Sequence, residues 1–195
     1  MRQWWLAMLV MLTVLVGCSD EAPPWRTKDI TGLMPRLQFA LTDEQGKSVS
    51  AEDYNGKVTL LYFGYTFCPD VCPMTLGRLA SAIKHLDPAA QARVQVLFVS
   101  VDPRRDTPTR LRDYTAAFGP EFVGLSGTQE QLQTLTKHYR VTYGYGEPDA
   151  SGNYAVSHSS AVYVFDPQGK IRLLLRDDDS IKAIAQDLAR LTKAS

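Results

Sequence analysis

Cys68 and Cys72 stand four residues apart in Phe67-Cys68-Pro69-Asp70-Val71-Cys72-Pro73, and a proline follows each thiol. Residues at i and i+4 share a face if the segment is helical, and a turn can also draw them together. Pro73 fits a helix only within its first turn. The pattern therefore predicts a helix beginning near Cys72, with Cys68 in the turn before it. Helix-terminal N–H groups and the positive end of the dipole would then favour thiolates, the form that attacks disulfides and binds metals. Such a pair can move electrons, hold a metal ion or staple a turn. The staple is the bland reading. A disulfide across so short a loop constrains few unfolded conformations, at the low end of the roughly 0–5 kcal/mol range. The spacing is also one residue longer than the redox Cys-x-x-C pattern, which counts against a routine disulfide oxidoreductase.

The three histidines differ in placement. His85 and His138 fall near the ends of helical stretches among charged neighbours, where an imidazole is solvated and suits the negative end of the dipole. His158 sits in Val156-Ser157-His158-Ser159-Ser160, just ahead of an apolar strand. Taken alone, it reads as a loop residue bonded to its neighbours. Taken with the thiols, it is a candidate third ligand. Two soft thiolates and one imidazole match Cu(I), or a tetragonal Cu(II) completed by another donor. A structural zinc site would want a fourth protein donor. Asp70 offers one, although its position better suits turning the loop and meeting the helix start.

These residues are positioned by an alternating series of elements. Val58–Phe63 is an apolar run of strand length, and Val94–Val101 is a second; both read as strands covered on two faces. Between them Met74, Leu76, Leu79, Ala80, Ile83 and Leu86 form a helical stripe that ends at Asp87-Pro88. Thr107-Pro108 reads as an N-cap with proline in the first turn, opening a helix that ends at Gly119-Pro120. Phe122–Leu125 is a short strand, and Thr128 with Gln131 is a capping box for a helix reaching about Tyr139. Ahead of the first apolar run, Leu37–Leu41 and Val49 suggest a hairpin leading into the central strand. Arg140–Val156, rich in Gly, Tyr and Pro, reads as a hairpin or irregular insertion. Ala161–Phe165 and Ile171–Leu175 flank an Asp166-Pro167-Gln168-Gly169 turn as antiparallel strands. A last helix starts near Asp179 or Ser180, its buried stripe running from Ile181 to Leu191. This order implies a mixed sheet with helices on both faces. A thioredoxin-like α/β fold fits it, with an N-terminal hairpin and an insertion before the late β-hairpin. In that layout the loop carrying His158 lies over the dithiol.

The 195 residues suit a single core, and 21 basic residues against 21 acidic ones leave no electrostatic footprint for nucleic acid. Arg2 precedes thirteen uncharged, mostly apolar residues, Trp4–Val16. A spanning helix needs about 20 apolar residues, whereas thirteen suit a signal peptide. The stretch ends in Leu15-Val16-Gly17-Cys18, which resembles the lipobox of bacterial lipoproteins. The expected organisation is a signal peptide at 1–17, a tether at 18–35 lipidated on Cys18, and a domain at 36–195. Only Cys68 and Cys72 would then be exported with free side chains. Outside the cytosol, such a pair oxidises unless something occupies it.

Tyr62–Pro73 (YFGYTFCPDVCP), Phe98–Pro108 (FVSVDPRRDTP), Gly124–Thr128 (GLSGT) and His158-Ser159-Ser160 together resemble the Sco/SenC family, in order, from about Thr31 to the end. The twelve-residue cysteine segment is highly specific to it. The resemblance implies a thioredoxin-like domain tethered to the periplasmic face of a bacterial membrane, the inner membrane by family precedent. It implies one copper ion per chain, held by Cys68, Cys72 and His158. It further implies a role in maturing the dinuclear copper (CuA) centre of cytochrome c oxidase, with oxidase subunit II as acceptor and a periplasmic copper chaperone as donor. Family members deliver copper, reduce the acceptor's cysteines, or do both. In a reductase Cys68 would attack and Cys72 resolve, and these two would then be the catalytic residues. Tyr154, Asp102 and Asp106 are read as supporting the site without ligating. Ser157 stands where many relatives have aspartate. A peroxiredoxin site does not fit, because Thr66 is only two residues before Cys68 and Tyr62 stands where that motif has proline.

Overall fold

The two long apolar runs form the centre of the sheet. The computed structural model describes residues 23–193, so the expected signal peptide and Cys18 lie outside the described residues. In chain order the strands and helices are β1 (Lys28–Asp29), β2 (Ala40–Asp43), β3 (Ser48–Ser50), β4 (Val58–Gly64), α1 (Val71–Lys84), α2 (Pro88–Gln91), β5 (Val94–Ser100), α3 (Pro108–Ala116), β6 (Phe122–Ser126), α4 (Gln129–His138), β7 (Tyr143–Tyr145), β8 (Val156–His158), β9 (Val162–Phe165), β10 (Ile171–Leu175) and α5 (Ile181–Lys193). Every residue of β4 and β5 is buried, which explains why neither run alternates with polar residues. They pair in parallel from Val58↔Val94 to Gly64↔Ser100.

β6 extends the parallel set beyond β5, while β9 lies antiparallel on the other side of β4 and β10 follows it. The sheet order is β1-β10-β9-β4-β5-β6-β2-β3. The crossovers through α1 and α3 step the same way across the sheet. Right-handed connections therefore put both helices on one face. On that face Tyr62 tilts against Phe98 at 6.0 Å between ring centroids, and Phe98 against Tyr114 of α3 at 5.4 Å. α5 packs against α1. On the opposite face Tyr139, capping α4, meets Phe63 at 6.4 Å and Phe165 at 5.8 Å. Helices thus cover both faces, and the sheet ends in a β-hairpin and helix as expected.

Local signals set the helix boundaries. Thr107 caps α3 by accepting from the Arg110 amide, with Pro108 in the first turn. Thr128 and Gln131 close a reciprocal capping box on α4. α1 starts at Val71, which keeps Pro73 within its first turn.

The hairpin of β2 and β3 leads into β4 as expected, and β2 pairs with β6, through Thr42↔Ser126 and Asp43↔Leu125, at the far edge of the sheet. Leu41 and Val49 are buried there. One expectation needs correction: the stretch read as tether enters the domain well before residue 36. β1 pairs with β10, Ile30 is 7% exposed, and the Arg26 and Thr27 amides donate to the buried carboxylate of Asp187 on α5. The buried side chains in this segment are isolated, so no periodicity marks them.

Candidate metal centre

β4 delivers the chain to the site and stops at Gly64. The following turn is held by the Cys68 amide, which donates to the Tyr65 carbonyl at 3.2 Å. Asp106, 2% exposed, fixes the same turn from the side. Its carboxylate accepts from the Thr66 amide at 3.0 Å, from the Thr66 hydroxyl at 2.6 Å and from the Ser100 hydroxyl at 2.6 Å. Cys72 then enters the first turn of α1 fully buried, and its amide donates to Cys68 Sγ at 3.4 Å. Gly64 makes room for that thiol: a Cβ at this position would lie 2.7 Å from Cys72 Sγ and 2.6 Å from the Phe98 ring. Both thiols are free.

The insertion supplies the third group. β7 and β8 form a two-stranded hairpin in which His158 is the Cα partner of Tyr143. His158 Nε2 stands 3.2 Å from Cys72 Sγ, and Nδ1 is 3.0 Å from the Ser159 carbonyl. A carbonyl only accepts, so Nδ1 donates to it, and in the neutral ring Nε2 is then the nitrogen whose lone pair faces the thiols. The ring meets Tyr65 edge-on at 5.7 Å and Tyr62 at 6.1 Å. The ligand atoms of Cys68, Cys72 and His158 lie within 4.8 Å of one another, the one such group among the described residues. Cys72 is buried while Cys68 and His158 are half-buried, so the group opens outward through Cys68.

A second set of residues supports the hairpin. Tyr154 donates to Asp102 at 2.8 Å, and Arg105 Nε donates to the other Asp102 oxygen at 2.5 Å. The Arg105 guanidinium lies 3.7 Å from the Tyr154 ring centroid and 4.8 Å from that of Phe67, beside Cys68. One side chain thus spans the cysteine turn and the histidine hairpin. Tyr154, Asp102 and Asp106 occupy the supporting positions read from the sequence. Arg105 was visible only as part of a motif, and its stacking on Phe67 and Tyr154, from two loops far apart in sequence, has no local signature.

The electrostatics correct one expectation. Burial pushes the Cys72 thiol up to about 12, against the Tyr65 amide and the Tyr62 hydroxyl, which act to lower it. Desolvation of a charged sulfur outweighs the helix terminus here, so in the absence of a metal Cys72 is a neutral thiol at pH 7. Occupation by a soft cation must expel that proton. The remaining residues resolve simply. Asp70 is exposed at the N-cap of α1, makes no cap hydrogen bond and stands outside the cysteine–histidine group. Ser157 is tied across the hairpin to the Gly144 carbonyl. His85 bonds to the Ser81 carbonyl at the end of α1. His138 departs from the solvated reading, because its Nε2 is buried without a partner.

A buried parallel strand that ends in a cysteine turn and helix, with a histidine at the end of hairpin strand β8 over the thiols, defines a thioredoxin-like α/β domain carrying a soft-donor cluster. Comparison with known proteins agrees. The SCO1/SenC family matches residues 33–193, and the chain belongs to that family. It is 41% identical over 133 residues to "Protein SCO2, mitochondrial" of Saccharomyces cerevisiae, covering 68% of this chain and 44% of the relative. It therefore spans less than half of that relative's length. The copper-bound structure of Arabidopsis thaliana ScoI superposes with a TM-score of 0.73 at 31% identity, covering 82% of this chain and 99% of that one. Copper-bound Bradyrhizobium japonicum ScoI gives 0.70 at 34% identity, covering 80% and 98%.

Proposed function

We propose that this protein binds one copper ion through Cys68, Cys72 and His158 and delivers it to the CuA centre of cytochrome c oxidase, with subunit II as acceptor. The observation that carries this reading is the convergence of two sulfurs and an imidazole nitrogen within 4.8 Å. The donors are soft, three in number and open on one side. Three donors suit Cu(I) and fall short of a closed four-ligand zinc site. Exposure of Cys68 gives an acceptor's thiolates a point of attack, while burial of Cys72 shields the bound ion from bulk oxidant. Copper-bound relatives with the same fold support the assignment. The donor is a periplasmic copper chaperone. Cys18, once lipidated, anchors the domain through a short tether to the periplasmic face of the inner membrane.

A second reading rests on the same pair as free thiols, one half-buried and one fully buried. Cys68 would attack an acceptor disulfide, forming a mixed disulfide and releasing one acceptor thiolate. Cys72 would then displace the second, leaving Cys68–Cys72 oxidised and the acceptor reduced by two electrons. Deleting the protein and assaying oxidase activity at low and restored copper separates the two readings. Delivery predicts rescue by excess copper; the reductase reading predicts rescue by a thiol reductant alone.

A further inference from the structure

Tyr62 is fully buried on β4, two residues before Gly64 and on the same face of the sheet. Its hydroxyl lies beside Cys72 and Thr75 and acts on both, yet it forms no hydrogen bond of full geometry among the described residues. Its ring meets the His158 imidazole edge-on at 6.1 Å and is pinned from the other side by Phe98 at 6.0 Å. A buried phenol with only poorly formed hydrogen bonds costs the fold part of its desolvation, and phenylalanine would fill the same space without that cost. The neutral Cys72 thiol is a weak acceptor. A metal-bound thiolate is a strong one, and hydrogen bonds to ionised groups are the stronger class.

The geometry points to Tyr62 as a positioning residue whose hydroxyl donates to the Cys72 thiolate once copper is bound, an inference that rests on the copper reading above. The hydrogen bond stabilises the copper-bound thiolate, so the loaded state gains more from Tyr62 than the metal-free one does. It also fixes the direction in which the sulfur presents its remaining lone pairs. No proton is transferred; the phenol stays protonated throughout.

The test is Tyr62→Phe in the otherwise unaltered protein, read by thermal unfolding of the metal-free form, by Cu(I) competition with a chromogenic chelator, and by the thiolate-to-Cu(II) absorption band. The expected result has opposite signs in the two states. Metal-free Tyr62→Phe is as stable as wild type or more so, its copper affinity is about tenfold weaker, and the band shifts. A purely structural role for Tyr62 would lower metal-free stability and leave the band in place. Unchanged affinity with an unchanged band overturns the inference while leaving the copper reading intact. Failure of the wild-type protein to take up copper at all overturns both.

Discussion

Alanine at position 64 is the smallest perturbation that reaches the site. Gly64 lies in regular strand, so the backbone accepts alanine and only the space around the new methyl matters. That methyl would sit 2.7 Å from Cys72 Sγ and 2.6 Å from Phe98 Cε2, both far inside contact distance. The Phe98 ring is held between Tyr62 and Tyr114, and Cys72 rides on a helix packed against α5. Overpacking a core of this kind costs about 1–3 kcal/mol, which for a chain of this size lowers the melting temperature by roughly 2–12 °C. The sulfur should move as well, because it is the less confined of the two neighbours. Copper affinity should then fall about tenfold or more, as it does when groups that orient metal ligands are disturbed. Thermal unfolding of the metal-free protein and chelator competition measure the two effects separately. A stability loss with undiminished affinity would show that Gly64 does not seat the thiol, and no change in either would refute the packing argument.

Asp106→Ala should cost about 3 kcal/mol in urea unfolding, because the change leaves two donors of Thr66 and the Ser100 hydroxyl without their charged acceptor. Amide exchange in residues 65–70 should accelerate; an exchange pattern like wild type would remove Asp106 from its assigned role. For Cys72 the folded thiol is raised to about 12, above the roughly 8.5 of an unfolded one. Its stabilising contribution is therefore complete below about pH 8.5 and declines as pH rises toward the folded value. Metal-free stability should fall by about 2 kcal/mol between pH 7 and 10, and Cys72→Ala should show a shallower fall. Copper affinity should run the other way, rising with pH as the displaced proton becomes easier to lose. A flat metal-free profile would contradict the burial argument.

Much of the fold was legible because its signals are local. Two runs such as Val58–Phe63 and Val94–Val101 announce strands covered on both faces, and the Thr107-Pro108 and Thr128–Gln131 caps mark where helices begin. The edge position of β2 was not legible, since it depends on pairing between Thr42 and Ser126, far apart in sequence. Nor was β1, a two-residue strand anchored by one aspartate from the other end of the chain. At the site, residue types and the segment expected over the dithiol point to His158 beside Cys72, where it stands 3.2 Å from the sulfur. The ionisation of Cys72 was misjudged because its helix terminus is visible in sequence and its complete burial is not. Arg105 bridging Phe67 and Tyr154 escaped for the same reason: a stacking contact across two loops leaves no periodic trace.

The most direct test of the account is copper X-ray absorption on protein loaded with one equivalent of Cu(I). The account predicts two sulfur ligands and one imidazole nitrogen for the wild type, with the nitrogen scattering lost in His158→Ala while both sulfurs remain. Identical spectra from the wild type and His158→Ala would contradict it.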